Sequence, residues 1–469
     1  VSRRDTVLLT LVLLASLGAR FMWLTDEFNV NEPDEFLHLT IAENFAIGFS
    51  YPRYDPGGYE DGFWPVPSLP MYVVGRLFRW PPPDLWTFRY ITALVGVGCV
   101  VAFHLLSRLY LRGIGHWVAV VLFALSPLSL YGSTHAMLGF YGVLFLLLTL
   151  WAYVRYIQDE KTLHLVLYAV FLAATCASKH YGLLIGGVTG LHWLWVRRAP
   201  GRLLMALSIS TLAFVILQPW CLWRPVDFAH GYFYRMFFSH IVTLLRGERG
   251  GGSLFAVPYK GIVFAHGAIG LIGLGVFCFT WRRKWDVLAF YGLLLALPIT
   301  VFREARYLSL ALPAACLFTG YLVMAVRQAT TARVPAIALV TLLAASVVPT
   351  AVIPWRVPSG LVGACRYANA TGRGTPVLSN YWRPVVLRLM EFGYPFPECE
   401  WVDGTARPYI ERGHVGLVIL DDSPYTRIAI STPERLATAD WVRKTFPRVY
   451  VSPPGVYRTE VYDTSQGCR

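Results

Sequence analysis

The sequence predicts an all-α polytopic membrane protein of about eleven transmembrane helices that ends in a small C-terminal extracytoplasmic α/β domain. Three observations predict it. Of 469 residues, 55% are hydrophobic and 15% charged, with a mean hydropathy of +0.49, whereas a soluble domain carries about 25% charged residues. Apolar windows close to the ~20 residues that cross a bilayer core recur along the chain. Basic residues collect at alternate ends of those windows. The composition also excludes a disordered, collagenous or small disulfide-rich chain. A net charge of +13 would suggest nucleic acid in a soluble protein. Here the bases sit in short clusters between apolar stretches, so no nucleic-acid partner is expected.

In chain order, spans are expected near Val7–Leu24, Arg89–Leu106, His116–Tyr131, Ala136–Val154, Leu163–Ala177 and Leu183–Val196. Further spans are expected near Leu203–Pro219, Gly261–Trp281, Trp285–Val301, Tyr307–Ala325 and Val334–Ile353. The first has no small-residue cleavage site and is expected to be a retained helix. With a cytoplasmic N-terminus, the inner ends hold Arg3/Arg4, Arg108/Arg112, Arg155/Lys161, Arg197/Arg198/Arg202, Arg282/Arg283/Lys284 and Arg327/Arg333. Every inner end then carries at least two bases, as the positive-inside rule requires.

That orientation leaves three segments outside: loops of about 25–88 and 220–260, and everything after about Trp355. Residues 1–354 are therefore expected to form the transmembrane domain and 355–469 a separate outer domain. The latter alternates strand-like runs (Pro376–Ser379, Val415–Leu420, Arg448–Val451) with a helical run, Pro384–Phe392. The stretch Gly247–Ser253 holds Gly250, Gly251 and Gly252 and is expected to move over a cleft. Five cysteines lie in or beside apolar segments as packing residues. Cys365, Cys399 and Cys468 fall in the outer part, where an oxidising space would permit one bridge. No C-x-x-C or His-rich cluster offers a metal site.

The first outer loop holds nine acids between residues 26 and 61, with Arg53 their only basic neighbour. Within it, Asn31-Glu32-Pro33-Asp34-Glu35 precedes an apolar helical run (Phe36, Leu37, Leu39, Ile41, Phe45). Asp34 and Glu35 are thus expected at a helix start, where free backbone N–H groups favour a carboxylate; a simple cap is the plain alternative. Two groups of bases break the charge rule by falling outside: Lys179 and His180 between two spans, and Arg303 and Arg306 before another. Ionisable groups at membrane depth pair or line a polar cavity. Snorkelling, or a local Glu304 pair, competes with an anion site in which Arg offers a fork and Lys a point charge.

Arg20 near the end of the first span, Pro33-Asp34-Glu35 and Trp64-Pro65-Val66-Pro67-Ser68-Leu69, in that order, resemble the GT-C glycosyltransferases that use polyprenyl-phosphate sugars. Ser178-Lys179-His180-Tyr181-Gly182 is similar to a Lys-Tyr-x-Gly type segment of bacterial members. Arg306-Tyr307-Leu308 through Pro313 is similar to their late Arg-Tyr-Leu helix start. The likeness runs from about Arg20 to Val326 and is closest in style to bacterial relatives of protein O-mannosyltransferases and of the lipid A aminoarabinose transferase. Glu32-Pro33-Asp34-Glu35 is also similar to the His-Pro-Asp-Glu motif of endoplasmic-reticulum mannosyltransferases, with Glu in place of His. Many bacterial relatives carry an acid near the start of the fourth span, where this chain reads Met137-Leu138-Gly139-Phe140.

The resemblance implies a GT-C fold and an inverting, membrane-bound glycosyltransferase, with mannose the favoured sugar. It implies that Asp34 is the catalytic base and Glu35 a second candidate, for substrate hydrogen bonding or metal contact. Lys179, His180, Arg303 and Arg306 would meet the donor phosphate, and Glu32, Tyr181 and Tyr307 would line the cleft. No cofactor is required, and a divalent metal is left open. The implied partners are a polyprenyl-phosphate sugar, membrane lipids, and a protein, glycolipid or polysaccharide acceptor. The implied location is a prokaryotic plasma membrane, with the endoplasmic reticulum as alternative. A transporter or flippase for a lipid-linked or anionic substrate is the competing class, disfavoured by the missing internal repeat and by ionisable groups gathered at one face. An anchored sensor would not need so many spans.

Overall fold

The computed structural model describes residues 3–24, 34–53, 63, 67–180, 182–197, 199–233, 260–280, 287–288, 291, 309–329, 360–371, 376–380, 406–422, 433–454 and 457–465. The chain divides into two compact units. One holds Val1–Leu24 and His38–Trp355, the other Thr25–Leu37 and Arg356–Arg469.

The first unit is helical. It contains α1 (Arg3–Trp23), α2 (Asp34–Ala46, entered from the other unit), α3 (Leu69–Leu77), α4 (Leu85–Ser107), α5 (Gly113–Leu125) and α6 (Pro127–Ser133). There follow α7 (Gly139–Asp159), α8 (Thr162–Ser178), α9 (Gly182–Val196), α10 (Pro200–Leu217), α11 (Trp220–Trp223) and α12 (Pro225–Ala229). Then come α13 (Lys260–Thr280) and α14 (Leu312–Ala329). Among the described residues, α1, α4, α7 and α10 are each long and apolar enough to cross a membrane, and α5 with α6 makes a fifth candidate bent by 46°. Helices α8 and α9 are shorter and apolar. The expected spans near Trp285–Val301 and Val334–Ile353 fall largely or wholly outside the described residues.

Apolar burial alone does not hold helices together in lipid, so close backbone approach and polar contacts matter. Where α5 meets α14, a Cβ on Gly115 would lie 2.5 Å from the Gly320 carbonyl oxygen, so the two helices touch through glycine. At one end of the bundle, charges pair between helix ends. Arg108 lies 3.9 Å from Asp5, and Glu160 meets Arg197 at 2.6 Å and Arg202 at 3.4 Å. His116 ties α5 to α4 near the same end, with Nε2 3.1 Å from His104 Nδ1 and Nδ1 3.1 Å from Ser107 Oγ.

The bend between α5 and α6 corrects the straight span expected over His116–Tyr131. Pro127 lacks the N–H that Phe123 O would accept, and the break it makes at Ser126 leaves the other last carbonyls of α5, Ala124 O among them, without helical partners. Arg20 supplies one in their place. Its guanidinium donates to Ala124 O at 3.1 Å, to Ser129 Oγ and Ser133 Oγ at 2.9 Å each, and to Ser16 O at 3.2 Å, with Ser16 Oγ also in contact. Arg20 is fully buried, and Gly96 of α4 leaves it room, since a Cβ there would sit 2.5 Å from Nε.

The second unit carries a four-stranded sheet of β1 (Val377–Ser379), β2 (Leu417–Asp421), β3 (Arg448–Val451) and β4 (Thr459–Asp463), in the order β1-β2-β4-β3. β1 runs parallel to β2, while β4 is antiparallel to both neighbours, with Val418 opposite Tyr462. Helices α15 (Gly360–Thr371), α16 (Ala406–Glu411) and α17 (Pro433–Thr445) accompany it. Ile410, Val418, Leu420 and Val442 form its core. Glu460 of β4 is buried yet charged. Burial alone would raise its carboxyl pKa, but hydrogen bonds from Arg458, Arg448, Tyr462 and Arg443 outweigh burial and hold it at about 2. Cys365 is a free, buried thiol, and its expected bridging candidates, Cys399 and Cys468, lie outside the described residues. The expected helical run Pro384–Phe392 lies outside them as well.

Candidate active site

Helix α2 starts at Asp34, so both carboxylates of Asp34-Glu35 stand in its first turn. The free N–H groups and dipole of a helix start favour negative charge there. The rest of the helix is apolar and buried at Leu39, Ile41, Ala42 and Phe45. The neighbouring acids differ: Glu35 is fully buried and Asp34 is half-buried. A general base must reach the proton it removes, so exposure favours Asp34.

One turn along α2, His38 Nδ1 lies 2.9 Å from Ala136 O. A carbonyl only accepts, so Nδ1 is the donor. Ala136 belongs to a buried non-helical segment, 134–138, that separates α6 from α7. Helix α7 therefore begins at Gly139, three residues later than expected. His135 in this segment likewise donates from Nδ1, 2.7 Å from Tyr131 O. Irregular backbone inside a membrane bundle persists only where protein or a water-filled cavity covers it.

Lys179 is the C-cap of α8, in extended conformation. Its N–H donates to Thr175 O at 2.9 Å, and the turn to α9 closes through Gly182 N–H to Lys179 O at 3.1 Å and Leu183 N–H to His180 O at 3.2 Å. The last carbonyls of a helix need outside donors. Gln218, the C-cap of α10, donates from Nε2 to Ala177 O at 2.8 Å. Tyr232 donates from its hydroxyl to Cys176 O, also at 2.8 Å. Both partners are buried, so the end of α8 that carries Lys179 and His180 is fixed from α10 and the chain after α12.

The structure thus describes Asp34 with Glu35 at one helix start, and Lys179 with His180 at one helix end. Glu32, Tyr181, Arg303, Arg306 and Tyr307 lie outside the described residues, as does Gly247–Ser253. Gln218, His38 and His135 escaped the sequence reading. A glutamine closing the apolar window Leu203–Pro219 was the available signal for Gln218. Among the described residues, no group of three or more His, Cys, Asp or Glu side chains is placed to hold a metal ion.

No protein-family model matches the chain, and no curated protein matches it. Solved structures do resemble it. The archaeal oligosaccharyltransferase AglB from Archaeoglobus fulgidus, in complex with an inhibitory peptide and a dolichol-phosphate, aligns with a TM-score of 0.59 at 14% identity, over 99% of this chain and 74% of that one. ArnT from Cupriavidus metallidurans, bound to undecaprenyl phosphate, aligns with a TM-score of 0.58 at 13% identity, over 98% of each chain. The arabinofuranosyltransferase AftD from Mycobacteria aligns with a TM-score of 0.56 at 14% identity, over 100% of this chain and 42% of that one. At these identities the shared property is architecture, and the chain has the GT-C fold.

Proposed function

We propose that the chain is an integral membrane, inverting glycosyltransferase that moves a sugar from a polyprenyl-phosphate donor to a hydroxyl acceptor on the extracytoplasmic side. The observation that carries this is the likeness, over 98% of both chains, to ArnT bound to undecaprenyl phosphate, and over 74% of its chain to AglB in complex with a dolichol-phosphate. The acids opening α2 and the bases closing α8 supply the residue types the reaction needs.

In this reading residues 1–354 form the transferase domain and 355–469 an outer domain, with the charge-paired helix ends at the cytoplasmic face. Asp34 accepts the proton of the acceptor hydroxyl as that oxygen attacks the anomeric carbon. The bond from carbon to phosphate oxygen breaks on the opposite face, which inverts the anomeric centre. Polyprenyl phosphate leaves with the bonding electrons, and Lys179, His180, Arg303 and Arg306 stabilise its growing charge. Phosphate is already a good leaving group, so no general acid is required.

Mannose is the first sugar to test, then glucose, arabinose and aminoarabinose. Purified chain is incubated with each radiolabelled polyprenyl-phosphate sugar and candidate peptide, glycolipid or polysaccharide acceptors. Release of polyprenyl phosphate with label on the acceptor is expected for one pairing. Transport of intact donor across a vesicle membrane, without release, would show a flippase instead.

A further inference from the structure

Among the described residues, four buried side-chain polar atoms that lack a hydrogen-bond partner lie on segments packed around the C-terminal end of α8: Ser68 Oγ, Ser178 Oγ, Gln218 Oε1 and Trp220 Nε1. All four residues are at most 1% exposed. Three contacts bring them together. The Gln218 amide that leaves Oε1 unused donates from Nε2 to Ala177 O, next to Ser178. Leu69, next to Ser68, packs with Ala174 and Ala177 and against Leu217, next to Gln218. The Cys221 N–H donates to Gln218 O at 3.1 Å, closing the turn that carries Trp220.

Buried polar atoms in folded chains are nearly always paired, so a cluster of unpaired ones points to a missing partner. Their chemistry defines that partner. Gln218 Oε1 only accepts, Trp220 Nε1 only donates, and the two serine hydroxyls do either. None is charged. A partner that satisfies all four must both donate and accept at several points, as the hydroxyl groups of a sugar do.

We infer that Ser68, Ser178, Gln218 and Trp220 form a subsite for the sugar hydroxyls of the donor, beside Lys179 and His180; this rests on the donor reading above.

The test compares full-length wild type with Ser178→Ala, Ser68→Ala and Trp220→Phe. Affinity is measured for bare polyprenyl phosphate and for its mannosyl, glucosyl, arabinosyl and aminoarabinosyl forms, with thermal stability measured alongside. Wild type should bind one sugar form more tightly than the bare lipid. Each variant should weaken that form about fivefold, the usual effect of one hydrogen bond, and leave the bare lipid unchanged. In the two serine variants, removing an unpaired polar atom should leave the melting temperature equal or higher. A lower melting temperature without selective loss of the sugar form would assign the atoms to trapped water and overturn the subsite. So would wild type binding bare and sugar-bearing lipid alike, while the lipid reading would stand. Wild type binding neither lipid would overturn both.

Discussion

Two buried polar regions of the helical unit solve the same problem in opposite ways. Around Arg20, polar groups meet protein partners: the guanidinium reaches α1, α5 and α6, and the carbonyl exposed by the Pro127 break receives a donor. Around the end of α8, carbonyls of Cys176 and Ala177 are capped, yet four side-chain atoms nearby have no partner. A closed network rigidifies, whereas an open one costs stability until a ligand completes it. On this contrast the Arg20 cluster is architecture, and the proposed binding region is the α8 end.

The largest expected effect is on the closed side. Arg20→Met leaves several buried acceptors without a donor, each worth ~1–3 kcal/mol, so stability should fall by about 3 kcal/mol or more. Arg20→Lys should recover only part, because a point charge cannot serve three helices at once. Detergent-solubilised melting checks both; an unshifted Arg20→Met would erase the distinction.

Of the proposed phosphate contacts, Lys179→Ala and Arg306→Ala should each weaken binding of the polyprenyl-phosphate sugar by about 1.5–3 kcal/mol, the worth of a charge-assisted hydrogen bond. Arg306→Ala should lower kcat too, with partial rescue by Lys. Titration of labelled donor reads the first effect and single-turnover kinetics the second. If Arg306→Ala changes neither, Arg306 serves only as a local partner of Glu304.

Gln218→Leu spans the two categories. It removes the Nε2 cap on α8 and the unused Oε1 together, so stability should drop by about 1 kcal/mol while donor affinity also falls. Loss of stability with donor affinity intact would make Gln218 a cap and nothing more.

The smallest effect at neutral pH belongs to the outer unit. The folded Glu460 carboxyl lies at about 2, below its ordinary 4.5. Its contribution is complete above pH ~4.5 and is lost as pH falls toward the folded value. Hydrogen exchange in β2 and β4 of the full chain should therefore stay constant from pH 7 to about 5, after correction for intrinsic rates, and accelerate below. Glu460→Gln should remove that acid dependence.

Sequence patterning located most helices because an apolar window that spans a membrane is long and unambiguous. It missed the bend at Pro127, since 16 apolar residues read alike whether continuous or broken, and a proline one step into a helix is as acceptable as one in a loop. It found three strand-like runs but not β4, whose Thr-Glu-Val-Tyr-Asp places two acids where a strand pattern expects apolar residues. Glu460 is buried there only because three arginines converge on it, which is a tertiary fact. At the site, Asp34 and Lys179 were legible as charges in unusual places. Ser68 was legible only as part of a motif and Gln218 not at all, because ordinary residues far apart in the chain acquire meaning only where the fold packs them.

The most direct test of the proposed chemistry is Asp34→Asn, which keeps shape and polarity but removes the base. Donor consumption, polyprenyl phosphate release and acceptor glycosylation are measured together for wild type and variant, matched in yield and melting temperature. The base assignment predicts equal release and transfer in wild type, and a kcat lowered by about 10²–10⁴ with donor affinity unchanged in the variant. Retention of more than about a tenth of wild-type turnover would contradict it and move the base role to Glu35.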